Sequence, residues 1–119
     1  MDDNLTAFNK CIGKTIALVE LCDDILCLKF ADGVSLHVFD DARYCCETRY
    51  MCTDDNLAEF SGAKLLSIEV KYPDAERGEF GEHEIAFLEI GTGFGSFTLA
   101  THNEHNGYYG GFDIRTALV

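Results

Sequence analysis

The sequence lacks any apolar run that approaches the length of a membrane-spanning helix, which takes about 20 residues. Its first residues, Met1-Asp2-Asp3, also lack the basic and apolar regions of a secretory signal peptide. Both absences predict a cytoplasmic protein with no membrane partner. In a reducing cytoplasm the six cysteines are expected to remain thiols.

Basic side chains are scarce: 9 lysines and arginines stand against 21 aspartates and glutamates, so the net charge is -12. Such a surface repels a nucleic-acid backbone, which argues against DNA as a partner. A small nucleotide is not excluded, because a pocket can collect a few arginines locally. The arginines available are Arg43, Arg49, Arg77 and Arg115.

The spacings typical of metal and phosphate sites are also missing. No Cys-x-x-C pair is present, and Cys45 and Cys46 are adjacent, which suits chelation of one ion poorly. The glycine-rich run at residues 91–95 lacks the Gly-Lys-Ser/Thr ending of a phosphate loop, so it is predicted to be a hairpin turn. We therefore predict no metal, no cofactor and no catalytic residue.

The pattern of apolar residues indicates one domain, residues 1–119, with an α+β fold dominated by antiparallel β-sheet. Residues 15–21, 25–30 and 34–39 are predicted to form a three-stranded antiparallel meander. The charged run at residues 73–82 is predicted to be a surface loop. Further strands are predicted at residues 43–52 (paired with the meander), 64–72, 83–90 and 96–100, which gives about eight short strands in all.

Two short helices complete the prediction, and they belong to an internal echo. The run Asp-Asp-Asn-Leu occurs at residues 2–5 and again at 54–57, and each copy is followed by a phenylalanine, then a glycine, then a strand. An acidic or asparagine cap would begin each helix, and Gly13 or Gly62 would end it. The echo predicts two similar helix–turn–strand units within the domain.

The stretch at residues 101–111 is polar, aromatic and glycine-rich at once. Asn106-Gly107 lies between the apolar runs 95–100 and 112–114, and this pattern predicts a β-hairpin with a type I′ turn. The same stretch carries two imidazoles, two amides, two phenols and free glycine backbone. It is either a hairpin whose turn carries polar and aromatic side chains or a recessed site for a small polar, aromatic ligand.

Three motifs together resemble one known family: Cys-Cys-Glu at 45–47, the helix at 55–62 that ends in glycine before a strand, and the run at 102–109, His-Asn-Glu-His-Asn-Gly-Tyr-Tyr. They are similar to the phage-encoded Thoeris anti-defence sponge family, the first type described, whose relatives are otherwise an uncharacterised domain of phages and bacteria. The resemblance covers roughly residues 13–114. Many members carry a tryptophan-rich strand before the last motif, whereas this chain has no tryptophan.

The resemblance implies a non-catalytic role. Members of that family bind a cyclic ADP-ribose isomer, made by a TIR-domain immune enzyme, and hold it uncleaved in the cytoplasm of the infected host. They form homodimers that can assemble into hexamers, and some bind cyclic oligonucleotides at a second site. Self-association is also favoured by the residues, because an uncovered outer strand of the meander would expose Leu26 and Leu28.

The predicted ligand site combines groups suited to a cyclic dinucleotide-like ring. Aromatic rings would stack on adenine, amides would bond to riboses, and arginine would pair with the pyrophosphate. The predicted ligand-binding residues are Arg49, Phe97, His102, Asn103, His105, Asn106, Gly107, Tyr108, Tyr109 and Arg115.

Two other functions remain open on the sequence. One is an enzyme that hydrolyses a nucleotide signal, with His102 or His105 as the base. A nearby cysteine of the 43–52 run would then be a candidate nucleophile, although no local signature of a cysteine hydrolase accompanies it. The other is a structural or interaction protein with no small-molecule ligand.

Overall fold

The computed structural model describes residues 5–42, 48–72, 76–78, 81–105 and 111–119, and it gives the side chains of all these except residues 76–78, 81, 82 and 105. The elements in chain order are α1 Thr6–Asn9, β1 Ile16–Cys22, β2 Ile25–Phe30, β3 Ser35–Asp40, β4 Thr48–Cys52, a 3₁₀ turn Leu57–Phe60, β5 Leu65–Lys71, β6 Glu76–Gly78, β7 Gly81–Thr92, β8 Gly95–His105 and β9 Ile114–Leu118. The predicted dominance of antiparallel sheet is confirmed. No helix in these ranges is long and apolar enough to cross a membrane.

Sheet 1 has the strand order β1-β2-β3-β9 and contains the predicted meander. All three of its pairs are antiparallel, with Leu28 opposite Leu36 in the β2–β3 pair. Asp23 and Asp24 between β1 and β2 have φ of 51° and 62°. These positive values match a type I′ turn, which short polar side chains tolerate better than branched ones do.

Sheet 2 has the order β4-β8-β7-β5, and β6 pairs with the outer part of β7. The hairpin turn predicted at residues 91–95 joins β7 to β8, and Gly95 there has φ of 111°. Two predictions were wrong. Strand β4 pairs with β8 and not with the meander, and the predicted loop at 73–82 contains β6 and the start of β7. The charged side chains of that run are typical of a surface loop, so its two strands were not predicted.

The hairpin predicted around Asn106-Gly107 was also wrong. Strand β8 continues to His105, because Thr101 and Asn103 still alternate as buried residues on one side of it. Strand β8 lies between β4 and β7, so β9 does not pair with it. Strand β9 pairs with β3 in the other sheet instead. Residues 106–110 lie outside the described ranges.

The internal echo corresponds to a pseudo-two-fold axis where β1 meets β5. The Gly13 N–H donates to the Leu65 carbonyl at 2.7 Å, and the Gly62 N–H donates to the Ile16 carbonyl at 2.7 Å. Gly13 and Gly62 both have positive φ, 89° and 93°, as their predicted role at the end of each helical turn requires. Each strand then has a register shift directly after its first residue.

The symmetry extends to the remaining strands. Strands β1, β2 and β3 of the first unit correspond to β5, β7 and β8 of the second. Each sheet receives its fourth strand from the chain segment that follows the other unit in sequence. Thus β9, which follows β8, pairs with β3, and β4, which follows β3, pairs with β8. This exchange ties the two units into one folded body.

The helical turns of the two units are less alike than their sequences. The side chain of Asn56 caps the 3₁₀ turn, because its Oδ1 accepts from the Ala58 N–H at 3.3 Å. The predicted cap of α1 is wrong: Leu5 occupies the N-cap position, with no side-chain cap bond. Helix α1 is a single turn, and its Phe8 side chain is fully buried.

The core lies between the two sheets and is shared by them. It contains the inward-facing residues of β2 and β3, which include Leu26 and Leu36, and those of β7 and β8, which include Leu88 and Leu99. Leu26 and Leu28 are 0% exposed. The premise that they would be exposed on an outer strand was wrong, because β2 is an inner strand covered by the opposite sheet.

Candidate functional site

The structure separates the predicted ligand-binding residues. Arg49 and Asn103 are paired neighbours on β4 and β8 and lie on the side that faces the core. His102 lies on the opposite, outer face of sheet 2. Phe97 is 1% exposed inside the core. Arg115 is exposed on β9 of sheet 1, bonded to Asp113 at 2.9 Å.

The other predicted residues cannot be placed in a site. The backbone of His105 ends β8, and its side chain lies outside the described part of the structure. Asn106, Gly107, Tyr108 and Tyr109 lie outside the described residues altogether. The predicted set is therefore represented by Arg49 and Asn103 in one place and by His102 in another.

Arg49 is the centre of a buried ion pair at one end of the core. Its Nη1 donates to Asp40 Oδ2 at 2.6 Å and to the Gly111 carbonyl at 3.0 Å. Only 13% of the Arg49 side chain and 6% of the Asp40 side chain are exposed. Asp40 Oδ1 also accepts the N–H groups of Ala42 and Asp113, at 3.1 and 2.9 Å. This carboxylate thus joins β3 to the start of β9.

Gly111 is bound from the other side by β7 and β8. Both carboxylate oxygens of Glu84 lie 3.1 Å from its N–H. The Asn103 Nδ2 lies 3.5 Å from its carbonyl oxygen. Asn103 is 0% exposed, and its Oδ1 has no hydrogen-bond partner among the described residues. A buried acceptor of this kind calls for a donor.

A cavity of about 560 Å³ opens beside Arg49. We call it the Arg49 cavity, and its described lining consists of Asp23, Asp24, Ile25, His37, Phe39, Asp40, Asp41, Ala42, Arg49, Tyr50, Met51, Thr101 and Ala117. Its volume is within the range of small-molecule sites. The lining combines three rings and four carboxylates with the Arg49 guanidinium, so it can stack on a base and accept hydrogen bonds from hydroxyl groups.

A second group, the thiol–imidazole cluster, lies on the outer face of sheet 2 and consists of Tyr50, Cys52, His83 and His102. The strand register places Tyr50 opposite His102, and the two rings stack at 4.4 Å with an interplanar angle of 9°. Cys52 Sγ lies 3.4 Å from His102 Nε2, and His83 Nε2 lies 2.9 Å from His102 Nδ1. Both ring nitrogens of His102 therefore have a partner.

Burial lowers the pKa of His102 below its ordinary value, and the nearby His83 lowers this pKa further, while Glu104 opposes the shift. The imidazole is consequently neutral at neutral pH and can accept a proton. Burial, and then Glu104, raises the pKa of Tyr50. No cluster of three or more metal-ligating side chains is found in the described ranges.

The family comparison gives a match along most of the chain. The family model for a domain of unknown function, DUF7448, matches residues 9–114. The chain belongs to this family. No curated protein matches the sequence. No solved structure matches it either.

The matched residues include both candidate sites, except for Ala117 of the Arg49 cavity. It begins inside α1 and ends at Ile114, the first residue of β9, so it contains Asp40, Arg49, Cys52 and His102. Asp40, Glu84 and the rings of His37 and Phe39 were not predicted as site residues from the sequence. Their signal was weak: His37 and Phe39 stand out only as the residues of β3 that alternate with buried Leu36 and Val38.

Proposed function

We propose that this protein binds a cyclic ADP-ribose isomer in the Arg49 cavity and sequesters it without cleaving it, as an immune-evasion protein of phage type. The observation that carries the proposal is the cavity itself. It brings a guanidinium, aromatic rings and carboxylates together around about 560 Å³. Residues of the β1–β2 turn, of β3 and of β4 meet around it.

The lining suits each part of such a ligand. Phe39 offers a ring on which adenine can stack, whereas the Tyr50 ring is already stacked on His102. Aspartates such as Asp41 can accept hydrogen bonds from ribose hydroxyls, as acidic residues do in dinucleotide sites. Arg49 supplies the cation for the pyrophosphate, and guanidinium groups favour phosphate oxygens.

The sequence resemblance supports the same ligand class. The motifs at residues 45–47, 55–62 and 102–109 resemble those of the anti-defence sponge family, whose members hold cyclic ADP-ribose isomers. We extend the proposal to cyclic oligonucleotides as a second ligand class, and to a homodimer that assembles into hexamers in the host cytoplasm. These extensions rest on the resemblance.

Retention without cleavage is supported by the separation of the two candidate sites. Cys52 and His102 form a nucleophile–base pair, but neither residue lines the Arg49 cavity. A phosphate or glycosidic bond held beside Arg49 would therefore not meet that pair. If the protein is a nucleotide hydrolase, the ligand should be recovered in converted form. If the protein has no small-molecule ligand, no binding should be found.

The charge of the cavity makes a specific prediction about affinity. Four carboxylates face one guanidinium, so an anionic ligand is opposed by the described lining. Asp23→Asn removes one of these charges at an exposed position with φ of 51°, which asparagine tolerates. A unit charge roughly 8 Å from a phosphate charge contributes about 0.5 kcal/mol in water-like surroundings, so the Kd should fall about twofold per phosphate charge. Calorimetric titration with cyclic ADP-ribose and its isomers measures this.

The matched control is Glu59→Gln, which changes the net charge equally at an exposed position that does not line the cavity. Its Kd should equal that of the wild type. The gain from Asp23→Asn should shrink as salt is added, because exposed charges are screened. Equal effects of the two variants, or no binding by any of the proteins, would contradict the proposed site.

A further inference from the structure

The Cys52 thiol is placed as a nucleophile is placed in enzymes, although the proposed function makes no use of it. Cys52 is a free, exposed cysteine whose Sγ lies 3.4 Å from His102 Nε2. The other nitrogen of that ring is 2.9 Å from His83 Nε2, and the ring is stacked on Tyr50. The nucleophile thus contacts the base, and the base contacts a group that orients it, as in catalytic triads.

We propose that Cys52 is a covalent acceptor site, at which His102 takes the thiol proton, His83 holds His102 in place, and the thiolate attacks small neutral or cationic disulfides. His83 is a positioning residue, since it acts only through His102. This site is separate from the Arg49 cavity, and the proposal does not depend on the nucleotide ligand.

The proton path follows from the two contacts of His102. One of the two facing nitrogens, His83 Nε2 or His102 Nδ1, must donate and the other must accept. When His102 Nδ1 carries the hydrogen and donates to His83, its Nε2 has a lone pair directed at the sulfur. It can then accept the Cys52 proton and become an imidazolium whose Nδ1–H remains bonded to His83. The stacked Tyr50 ring keeps the imidazole plane fixed during this transfer.

The reaction is a thiol–disulfide exchange in which the incoming disulfide is the oxidant. The Cys52 thiolate attacks one sulfur of the disulfide, a new sulfur–sulfur bond forms, and the original one breaks. The departing thiolate takes the proton from the His102 imidazolium and leaves as a thiol. The products are a mixed disulfide on Cys52 and one equivalent of small thiol, so atoms and electrons balance.

A groove beside the sulfur indicates the class of substrate. It has a volume of about 290 Å³, and Cys52, Asp54, Asp55, Phe87 and Ala100 contribute to its lining. We call it the Cys52 groove. Its two carboxylates repel anionic disulfides and favour neutral or cationic ones. Its two apolar members accept the carbon chain of the reagent.

The surroundings of His102 keep it available as a base at neutral pH. The titratable groups facing it are Tyr50 and Cys52 from β4, His83 from β7 and Glu104 on its own strand. Burial and His83 lower the pKa of His102, and Glu104 raises it to a lesser extent. The imidazole is therefore neutral at pH 7. Removing His83 should raise the pKa of His102, so that the basic form appears only at higher pH.

The test uses cystamine, a cationic disulfide, at pH 7, and measures the rate of modification of each cysteine by mass spectrometry of peptides. Cys22 is the internal control, because it is also exposed but lies beside Glu20 and Asp23. Cys11 is 0% exposed and reports on folding, because it reacts only if the protein opens. Cys52 should react at least about tenfold faster than Cys22, since positioned bases accelerate reactions by about 100-fold or more.

Three comparisons complete the test. His102→Gln should reduce the rate at Cys52 to that of Cys22 while Cys11 stays unmodified. His83→Leu should move the rise of the Cys52 rate to higher pH, which a purely structural role would not do. The rate of modification should be highest with cystamine, lower with bis(2-hydroxyethyl) disulfide and lowest with glutathione disulfide. The differences between these rates should be larger at Cys52 than at Cys22.

Three results would overturn the proposal. Equal rates at Cys52 and Cys22 in the wild type would show that the thiol is not activated. An unchanged Cys52 rate in folded His102→Gln would show that His102 is not its base. A preference of Cys52 for glutathione disulfide would contradict the assigned substrate class.

Discussion

Replacing Arg49 with methionine should lower the free energy of unfolding by about 3–5 kcal/mol, because it leaves a buried charge without its partner. The charge is that of Asp40, whose side chain is 6% exposed. Asp40 cannot simply turn towards water, since its Oδ1 is held by the N–H groups of Ala42 and Asp113. Urea denaturation followed by circular dichroism measures the change.

Two further variants make this result specific. Arg115→Met breaks an ion pair that is 52% and 35% exposed, and such pairs contribute about 0–1 kcal/mol. Asp40→Asn in the Arg49→Met background removes the uncompensated charge while keeping an oxygen for the two N–H groups, so part of the lost stability should return. If Arg49→Met costs no more than Arg115→Met, the buried pair does not stabilise the fold as described.

Replacing Phe97 with alanine should lower the free energy of unfolding by about 3–5 kcal/mol, the usual cost of emptying the space of a buried aromatic ring. The Phe97 side chain is 1% exposed and lies against Phe60, with ring centroids 4.9 Å apart and an interplanar angle of 52°. The sequence suggested a stacking surface for the ligand at this position. The ring instead joins the 3₁₀ turn to β8, and any loss of binding should follow from loss of folding.

The control lies in the same hairpin. Phe94 is 63% exposed, so Phe94→Ala should change the stability by no more than about 0.5 kcal/mol, as for most surface positions. Phe97→Leu keeps most of the buried volume and should bind the ligand with wild-type affinity once folded. A folded Phe97→Leu protein that has lost binding would place this ring in the ligand site after all.

Local patterns were sufficient to predict most of the strands, but they missed β6 and some of the strand partners. Alternating apolar residues gave the meander of β1, β2 and β3, and the glycines at 91–95 gave the β7–β8 turn. The two Asp-Asp-Asn-Leu runs indicated two similar helix–turn–strand units. The Asn-Gly hairpin failed because β8 already has a strand on each edge, and edge occupancy is set by pairings distant in sequence. The exchange of β4 and β9 has no local signal.

The contacts of the candidate sites also depend on strand pairings that the sequence alone did not predict. Arg49 and Asn103 were both predicted, and the β4–β8 register makes them neighbours. Their partners Asp40 and Glu84 come from other strands and carry no distinguishing motif. His102 was weighed as a base and the Cys-containing run as a source of a nucleophile, but a single sequence cannot give the register that brings Cys52 to 3.4 Å from its ring.

The central claim is that the protein retains its ligand intact, and the most direct measurement is recovery of that ligand. The purified protein is mixed with a cyclic ADP-ribose isomer, freed of unbound small molecules, denatured by heat and analysed by mass spectrometry. A sample in which the protein is denatured before mixing is the control for carry-over. We expect unaltered ligand, released only from the folded protein, in proportion to the protein present. Release of a hydrolysed product, or no retention of any isomer, would contradict the account.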